Sequence, residues 1–211
     1  MKIIQIAESI HGELPHIGYP CTILRLAGCN LSCVYCDVPP AMEENVVEMS
    51  RDEIVGVLKS MNNACVLITG GEPLLQWKDL YELLKIIRND YHITIETNGA
   101  LPLTRELRTC VDEIVMDIKL DKPLENFSIT DRNIPFLGEK DVIKFVYDGW
   151  QQFEIAWSIA KKSLQGHFPG TIVFSPIDKQ QAFVDKFVVN CKTFKGDVRM
   201  QIQIHKYLGC E

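Results

Sequence analysis

A chain of 211 residues with 46% hydrophobic and 24% charged residues has enough apolar material for one sizeable core, so neither a disulfide nor a metal is needed merely to fold. The net charge of −6 argues against broad binding to nucleic acid or an anionic membrane, which both call for a basic surface, although a local basic pocket is still allowed. No apolar run is long enough for a membrane-spanning helix, and the N-terminus reaches Glu8 too soon for a signal peptide, so a cytoplasmic protein with one domain over residues 1–211 is expected.

Along the chain, short β-branched runs are followed by polar or glycine-rich turns and then by longer helical patterns. Residues 21–26 read as a strand entering a cysteine-rich loop. Ser50 and Glu53 have capping-box spacing and predict a helix to about residue 60. A strand at 65–69 precedes Leu80, Leu83, Leu84 and Ile87, which recur at helical spacing. Next come a strand at 92–96, a helix over 104–110, and strands at 114–118 and 142–146. Helices over 152–162 and 180–190 then separate strands at 172–174 and 198–204. Alternating strands and helices imply a mostly parallel α/β sheet with right-handed crossovers. A partial, incomplete β/α barrel is the preferred architecture; an open doubly wound sheet is the alternative.

The distinctive polar residues fall at the downstream strand ends: Thr69-Gly70-Gly71-Glu72-Pro73, Glu96-Thr97-Asn98-Gly99, Asp117-Ile118-Lys119 and Ser175-Pro176. In a parallel sheet those ends share one rim, where ligands bind. Motifs distant in sequence are thus expected to face one site.

Eight cysteines are distributed unevenly. Cys29, Cys33 and Cys36 crowd into Gly28-Cys29-Asn30-Leu31-Ser32-Cys33-Val34-Tyr35-Cys36-Asp37, whereas Cys21, Cys65, Cys110, Cys191 and Cys210 are scattered and read as small buried apolar residues. Thiolates are soft ligands that suit zinc and iron–sulfur clusters. Three of them on one short loop can wrap a cubane and leave its fourth iron open, which catalysis needs and structural sites usually close. The competing readings are a zinc-stabilised binding module and an unliganded buried cluster. A zinc knuckle wants a fourth Cys or His close by, and none follows in the adjoining segment.

The C-x3-C-x2-C spacing, with Tyr35 before the last cysteine, resembles the radical S-adenosylmethionine (SAM) superfamily. The resemblance implies a [4Fe-4S] cluster on Cys29, Cys33 and Cys36, whose open iron is chelated by the amino and carboxylate groups of SAM. It implies reductive formation of a 5′-deoxyadenosyl radical, with electrons from an external donor of the flavodoxin or ferredoxin type. Thr69-Gly70-Gly71-Glu72-Pro73 resembles the superfamily's GGEP element, which contacts the methionine amine. Paired glycines permit close backbone approach, and Glu72 can accept from an ammonium group. The ETNG element places Glu96 and Asn98 toward the cofactor ribose and substrate, and Tyr35 joins the cofactor side. Asp117 and Lys119 are cofactor contacts or simply a charged strand end. Ser175 lies beside the adenosine by resemblance, or merely ends a strand.

Within the superfamily, Glu8-Ser9-Ile10-His11-Gly12-Glu13 and Thr22-Ile23-Leu24-Arg25-Leu26-Ala27-Gly28-Cys29-Asn30-Leu31 resemble the 7-carboxy-7-deazaguanine synthase family, as do Met116-Asp117-Ile118-Lys119, Val142-Ile143-Lys144-Phe145-Val146 and Gln201-Ile202-Gln203-Ile204-His205-Lys206-Tyr207. This implies ring contraction of 6-carboxy-5,6,7,8-tetrahydropterin with loss of ammonia, on the way to queuosine and related 7-deazapurines, by a homodimeric lyase. The substrate side would comprise Ile10, His11, Gly12, Glu13, Arg25 and Thr69. Glu13 suits the N–H edge of a pterin, or is a surface residue; Arg25 suits a substrate carboxylate, or pairs with a structural acid. Two departures stand out. The family has threonine after Cys-Asp, where its hydroxyl helps bind magnesium, and this chain has Val38, so magnesium is either not required or held differently. His11 and Leu14 replace the usual glutamine and glycine of the first motif. A radical enzyme with a different substrate, such as an activase for a glycyl-radical protein, is the enzymatic alternative.

Overall fold

The computed structural model describes residues 1–36, 38, 44–120, 132–177 and 180–209, without the side chains of Lys206 and Tyr207; Asp37 and Cys210 lie outside the described residues. Among the described residues, nine strands form one sheet: β1 (Lys2–Ile10), β2 (Pro20–Leu26), β3 (Val47–Glu48), β4 (Cys65–Gly70), β5 (His92–Thr97), β6 (Glu113–Lys119), β7 (Val142–Tyr147), β8 (Thr171–Pro176) and β9 (Asp197–Met200). Their order is β3-β1-β2-β4-β5-β6-β7-β8-β9. From β2 to β9 every neighbouring pair is parallel, while β1 is antiparallel to both β2 and β3.

Winding decides between the two expected architectures. A doubly wound sheet reverses its strand order at a switch point. Here each new parallel strand is added on the same side as the last, so the helices collect on one face and the partial β/α barrel is what forms. Strand alternation shows the same thing. Leu24, Val66, Ile68, Ile93, Ile95, Ile114, Met116, Ile143, Phe145 and Phe174 belong to a continuous apolar core. That core also takes Ile54 and Leu58 of α1 (Arg51–Met61), Leu80, Leu83 and Leu84 of α2 (Trp77–Ile87), Leu107 of α3 (Arg105–Arg108), Phe153 and Ala156 of α4 (Trp150–Ile159), and Phe183 of α5 (Gln181–Cys191). At about 1.5–3 kcal/mol for each fully buried large side chain, this face supplies most of the driving force. The opposite, inner face of the strands can therefore be polar.

Local signals account for the element ends. Ser50 caps α1 reciprocally: its hydroxyl accepts from Glu53 N at 3.3 Å, and Glu53 Oε2 accepts from Ser50 N at 2.7 Å. Asn62 closes the helix in the left-handed region at φ 54°. The helix expected over 152–162 starts at Trp150, and a π-helical turn (Ala160–Leu164) continues it. The strand expected over 198–204 stops at Met200. Gln201 N still donates to Phe174 O, but Ile204 N turns to Gly12 O, and α6 (Ile204–Leu208) begins there. Sequence periodicity did not reveal β1, whose side chains are mostly half-buried and carry no clean alternation.

Candidate active site

The inner face of β2, β4, β5, β6 and β7 encloses one cavity, with the cysteine loop at its mouth and the loop after β1 below it. Cys29, Cys33, Cys36 and Tyr35 line it from the mouth. Gly70, Gly71, Asn98, Asp117 and Lys119 line it from the downstream strand ends. Ile10, Gly12, Glu13, Arg25, Thr69 and Glu96 complete the wall. Residues from both ends of the chain and most of its strands are thus brought together, as the strand-end pattern implied.

The mouth is built by backbone. Gly71 N donates to Leu26 O at 3.0 Å and Glu72 N to Gly28 O at 2.8 Å, so β4 is prolonged along the start of the cysteine loop. A Cβ on Gly70 would stand 2.1 Å from Leu26 O, and one on Gly71 would stand 2.1 Å from Gly28 O and 3.1 Å from Cys29 Cβ. Gly70 also has φ +134°. Both glycines therefore admit the cysteine loop's own backbone. Asn98 ties the next strand to it, donating to Asn30 Oδ1 at 2.8 Å and approaching Cys29 Sγ at 3.8 Å.

Three expected site residues do not reach the cavity. Glu72 is fully buried behind the wall, where Leu74 N, Thr97 Oγ1 and Asn98 N donate to it at 3.0, 2.9 and 2.7 Å. Burial raises its pKa against those three donors, and its carboxylate holds the strand ends in place. Ser175 is buried at the end of β8 outside the cavity lining. His11 turns away from the lining, to within 3.5 Å of Cys65 Sγ, while its neighbours Ile10 and Gly12 line the cavity. Burial first, then His16, lowers its pKa to about 4.

A buried ionic network occupies the cavity floor. Lys144 Nζ bonds Glu13 Oε2 and stands 3.0 Å from Asp117 Oδ1, while Lys119 Nζ donates to Asp117 Oδ2 at 2.6 Å. Burial alone would lower the Lys144 pKa, but Asp117, Glu13 and Glu96 outweigh it and hold the ammonium well above its ordinary value. Lys119 and then Lys144 likewise overcome burial at Asp117 and depress its pKa. Glu96, which accepts from Thr69 Oγ1 at 2.8 Å, goes the other way: burial dominates Lys144 and raises it. Arg25 keeps a buried Nε without a hydrogen-bond partner at the cavity wall. Lys119 Nζ also lies 6.0 Å from the Tyr35 ring centroid, at the outer limit for a cation–π contact.

The radical SAM superfamily profile matches residues 23–133. A 7-carboxy-7-deazaguanine synthase of Clostridium acetobutylicum is 37% identical, covering 98% of this chain and 95% of the relative. The chain belongs to the 7-carboxy-7-deazaguanine synthase family of the radical SAM superfamily. A synthase of that name from Methanospirillum hungatei JF-1 is 34% identical over 99% of this chain and 86% of its own length. The crystal structure of QueE from Escherichia coli shares the fold, with a TM-score of 0.71, 18% identity, and coverage of 95% of this chain and 93% of that one.

Membership in this family implies a [4Fe-4S] cluster and SAM, and the residues at the mouth fit them. The thiols of Cys29 and Cys36 are exposed, that of Cys33 is half-buried, and all three are free of disulfides beside a cavity that continues inward. Lys144, Gln203 and His205 are cavity residues of this family member that sequence reasoning did not single out. Lys144 had a signal: it is the one charge in the otherwise apolar run of β7. Gln203 and His205 lie in a segment that carried the family resemblance, but the expected strand over 198–204 hid the turn that brings them to the cavity. Gln203 Nε2 bonds Glu13 Oε1, and His205 packs so closely on Gly12 that a Cβ there would meet its Nδ1 at 1.6 Å.

The glycine contacts yield a prediction specific to the mouth. Gly71→Ala is expected to push the cysteine loop off β4 and lower iron incorporation on reconstitution at least about tenfold, since a backbone oxygen cannot move aside as a side chain can. Iron per chain after anaerobic reconstitution checks this; full incorporation would contradict the clamp.

Proposed function

We propose that this chain converts 6-carboxy-5,6,7,8-tetrahydropterin to 7-carboxy-7-deazaguanine with loss of ammonia, as a 7-carboxy-7-deazaguanine synthase. The observation that carries the substrate side is the cavity beneath the cysteines. It presents one arginine with an unpartnered buried Nε beside a carboxylate- and ammonium-lined floor. A half-buried guanidinium with a buried N–H unmet calls for an acceptor, and a pterin carboxylate is an anion of matching planar geometry. Glu13 and Glu96 offer acceptors to the N–H groups of the heterocycle, and Gln203 and Lys144 fix Glu13 in place.

The cluster and SAM, when bound, supply the 5′-deoxyadenosyl radical that starts the reaction at a substrate C–H bond. Cys29, Cys33 and Cys36 would hold the iron. Gly70, Gly71, Asn98, Asp117, Lys119 and Tyr35, around the mouth, would orient SAM. Arg25, Thr69, Glu13 and Glu96 would orient the substrate below it, and the walls of β2, β4 and β7 (Ile23, Leu67 and Val146) would exclude water. With this reading go a homodimer in the cytoplasm and a flavodoxin- or ferredoxin-type electron donor.

Val38 lines the same cavity next to Cys36 and offers no side-chain oxygen. The reading therefore includes turnover without a magnesium requirement. The test is anaerobic turnover of the cluster-loaded protein with 6-carboxytetrahydropterin, SAM and dithionite, with and without magnesium. Deazaguanine formation is expected in both conditions, and Val38→Thr is expected to acquire magnesium stimulation. Protein that cleaves SAM yet forms no deazaguanine would refute the substrate. Equal magnesium stimulation of both forms would refute the role given to Val38.

A further inference from the structure

At the end of the barrel interior opposite the cysteine loop, three side chains from distant parts of the chain converge. His16 comes from the loop between β1 and β2, His92 opens β5, and Glu113 opens β6. The two Nε2 atoms are 3.1 Å apart. Glu113 Oε2 lies 2.7 Å from that of His16 and 3.0 Å from that of His92, and Oε1 lies 2.9 Å from His16 Nε2. Thr94 Oγ1 also donates to Oε2 at 3.0 Å. The Glu113 side chain is 6% exposed, whereas those of His16 and His92 are 31% and 37% exposed, so solvent reaches the group from one side.

Hydrogen bonding alone leaves this triangle incomplete. Each imidazole Nε2 carries in its ring plane one proton or one lone pair. With both protons present, two N–H donors crowd together with their nitrogens 3.1 Å apart. With one absent, a lone pair faces the carboxylate oxygen. With Glu113 ionised, at least one edge of the triangle is repulsive whichever tautomers the imidazoles adopt, while a cation among the three atoms makes all their contacts attractive.

We propose that His16, His92 and Glu113 bind a divalent first-row transition ion of the zinc class. Two imidazoles and a carboxylate form a donor set for that class, whereas magnesium and calcium take oxygen. Tetrahedral ligand atoms with bonds of about 2.0–2.1 Å stand about 3.3 Å apart, so small rotamer shifts complete the site and leave one position for water. Asp112 Oδ2, which accepts from Ile93 N at 2.8 Å, lies 3.8 Å from His92 Nδ1, beyond a hydrogen bond but near enough for the same rotamer shifts to make it the outer carboxylate of a ligating histidine. The ion staples the loop carrying Gly12 and Glu13 to β5 and β6. It therefore helps to fix a cavity carboxylate from outside the cavity, and it does so whatever the substrate is.

The test uses full-length protein with its cysteines already occupied by iron–sulfur cluster. After incubation with zinc and desalting, about one zinc per chain is expected in addition to unchanged iron. His92→Ala and Glu113→Gln are expected to retain at least about tenfold less zinc with the same iron, which also shows that they fold. Zinc K-edge absorption should give nitrogen and oxygen neighbours at about 2.0–2.1 Å and no sulfur at about 2.3 Å. At a hundredfold excess over Kd, zinc should raise the Tm of the wild type by about 5–10 °C and leave that of both variants unmoved. No retained zinc in the wild type, equal zinc in the variants, or a sulfur shell would each overturn the site.

Discussion

Alanine at any one of Cys29, Cys33 or Cys36 is expected to remove most of the iron and to cut reductive cleavage of SAM at least about a thousandfold, equivalent to about 4 kcal/mol or more of barrier. The reason lies in the rest of the cysteines as much as in these three. Burial raises the Cys21 thiol to about 12 and the Cys65 thiol to about 11. Both remain protonated near neutral pH, and a protonated thiol is neither nucleophile nor ligand. Cys110 is also buried, so none of these three replaces a missing donor. Iron content and 5′-deoxyadenosine yield are the measurements, with Cys21→Ala as the control that should keep both. A single loop variant that retained full iron and cleavage would remove the ligand assignment.

Lys144→Met should destabilise the protein by about 3–5 kcal/mol in urea unfolding, the usual cost of stripping one partner from a buried ion pair. Lys144 is 4% exposed and serves two carboxylates, Glu13 and Asp117, so the methionine strands both. Lys119 still reaches Asp117 and Gln203 still reaches Glu13, which is why the loss should not exceed that range. A pH signature follows. Asp117 is held below its ordinary 3.8, so its contribution is present above that value and is lost as pH falls through the lowered folded pKa. Without Lys144 the depression shrinks, and acid unfolding should begin at a higher pH. Adding Glu13→Gln should recover part of the stability by removing one of the stranded charges. A loss under about 1 kcal/mol would mean that the network is better solvated than its burial indicates.

The parallel sheet was legible because its strands are short β-branched runs and its polar motifs sit at strand ends. The cysteine loop was legible because a ligand set on one contiguous segment is visible as spacing. What escaped detection depends on contacts across the chain. His11 looked like a substrate residue from its place in the first motif, but the loop that follows β1 sets its ring beside Cys65. Glu72 had the chemistry to bind an ammonium group, yet three internal donors claimed it. The convergence of His16, His92 and Glu113 joins three segments with no local pattern at all; only their placement at the same strand-end level brings them together.

The clamp that Gly71 and Glu72 place on Leu26 and Gly28 consists entirely of peptide groups. None of its hydrogen bonds involves a thiol, so the backbone that carries Cys29 is seated against the sheet by peptide groups alone. The first of the three thiols is thus placed by the fold itself, independently of whether iron is bound.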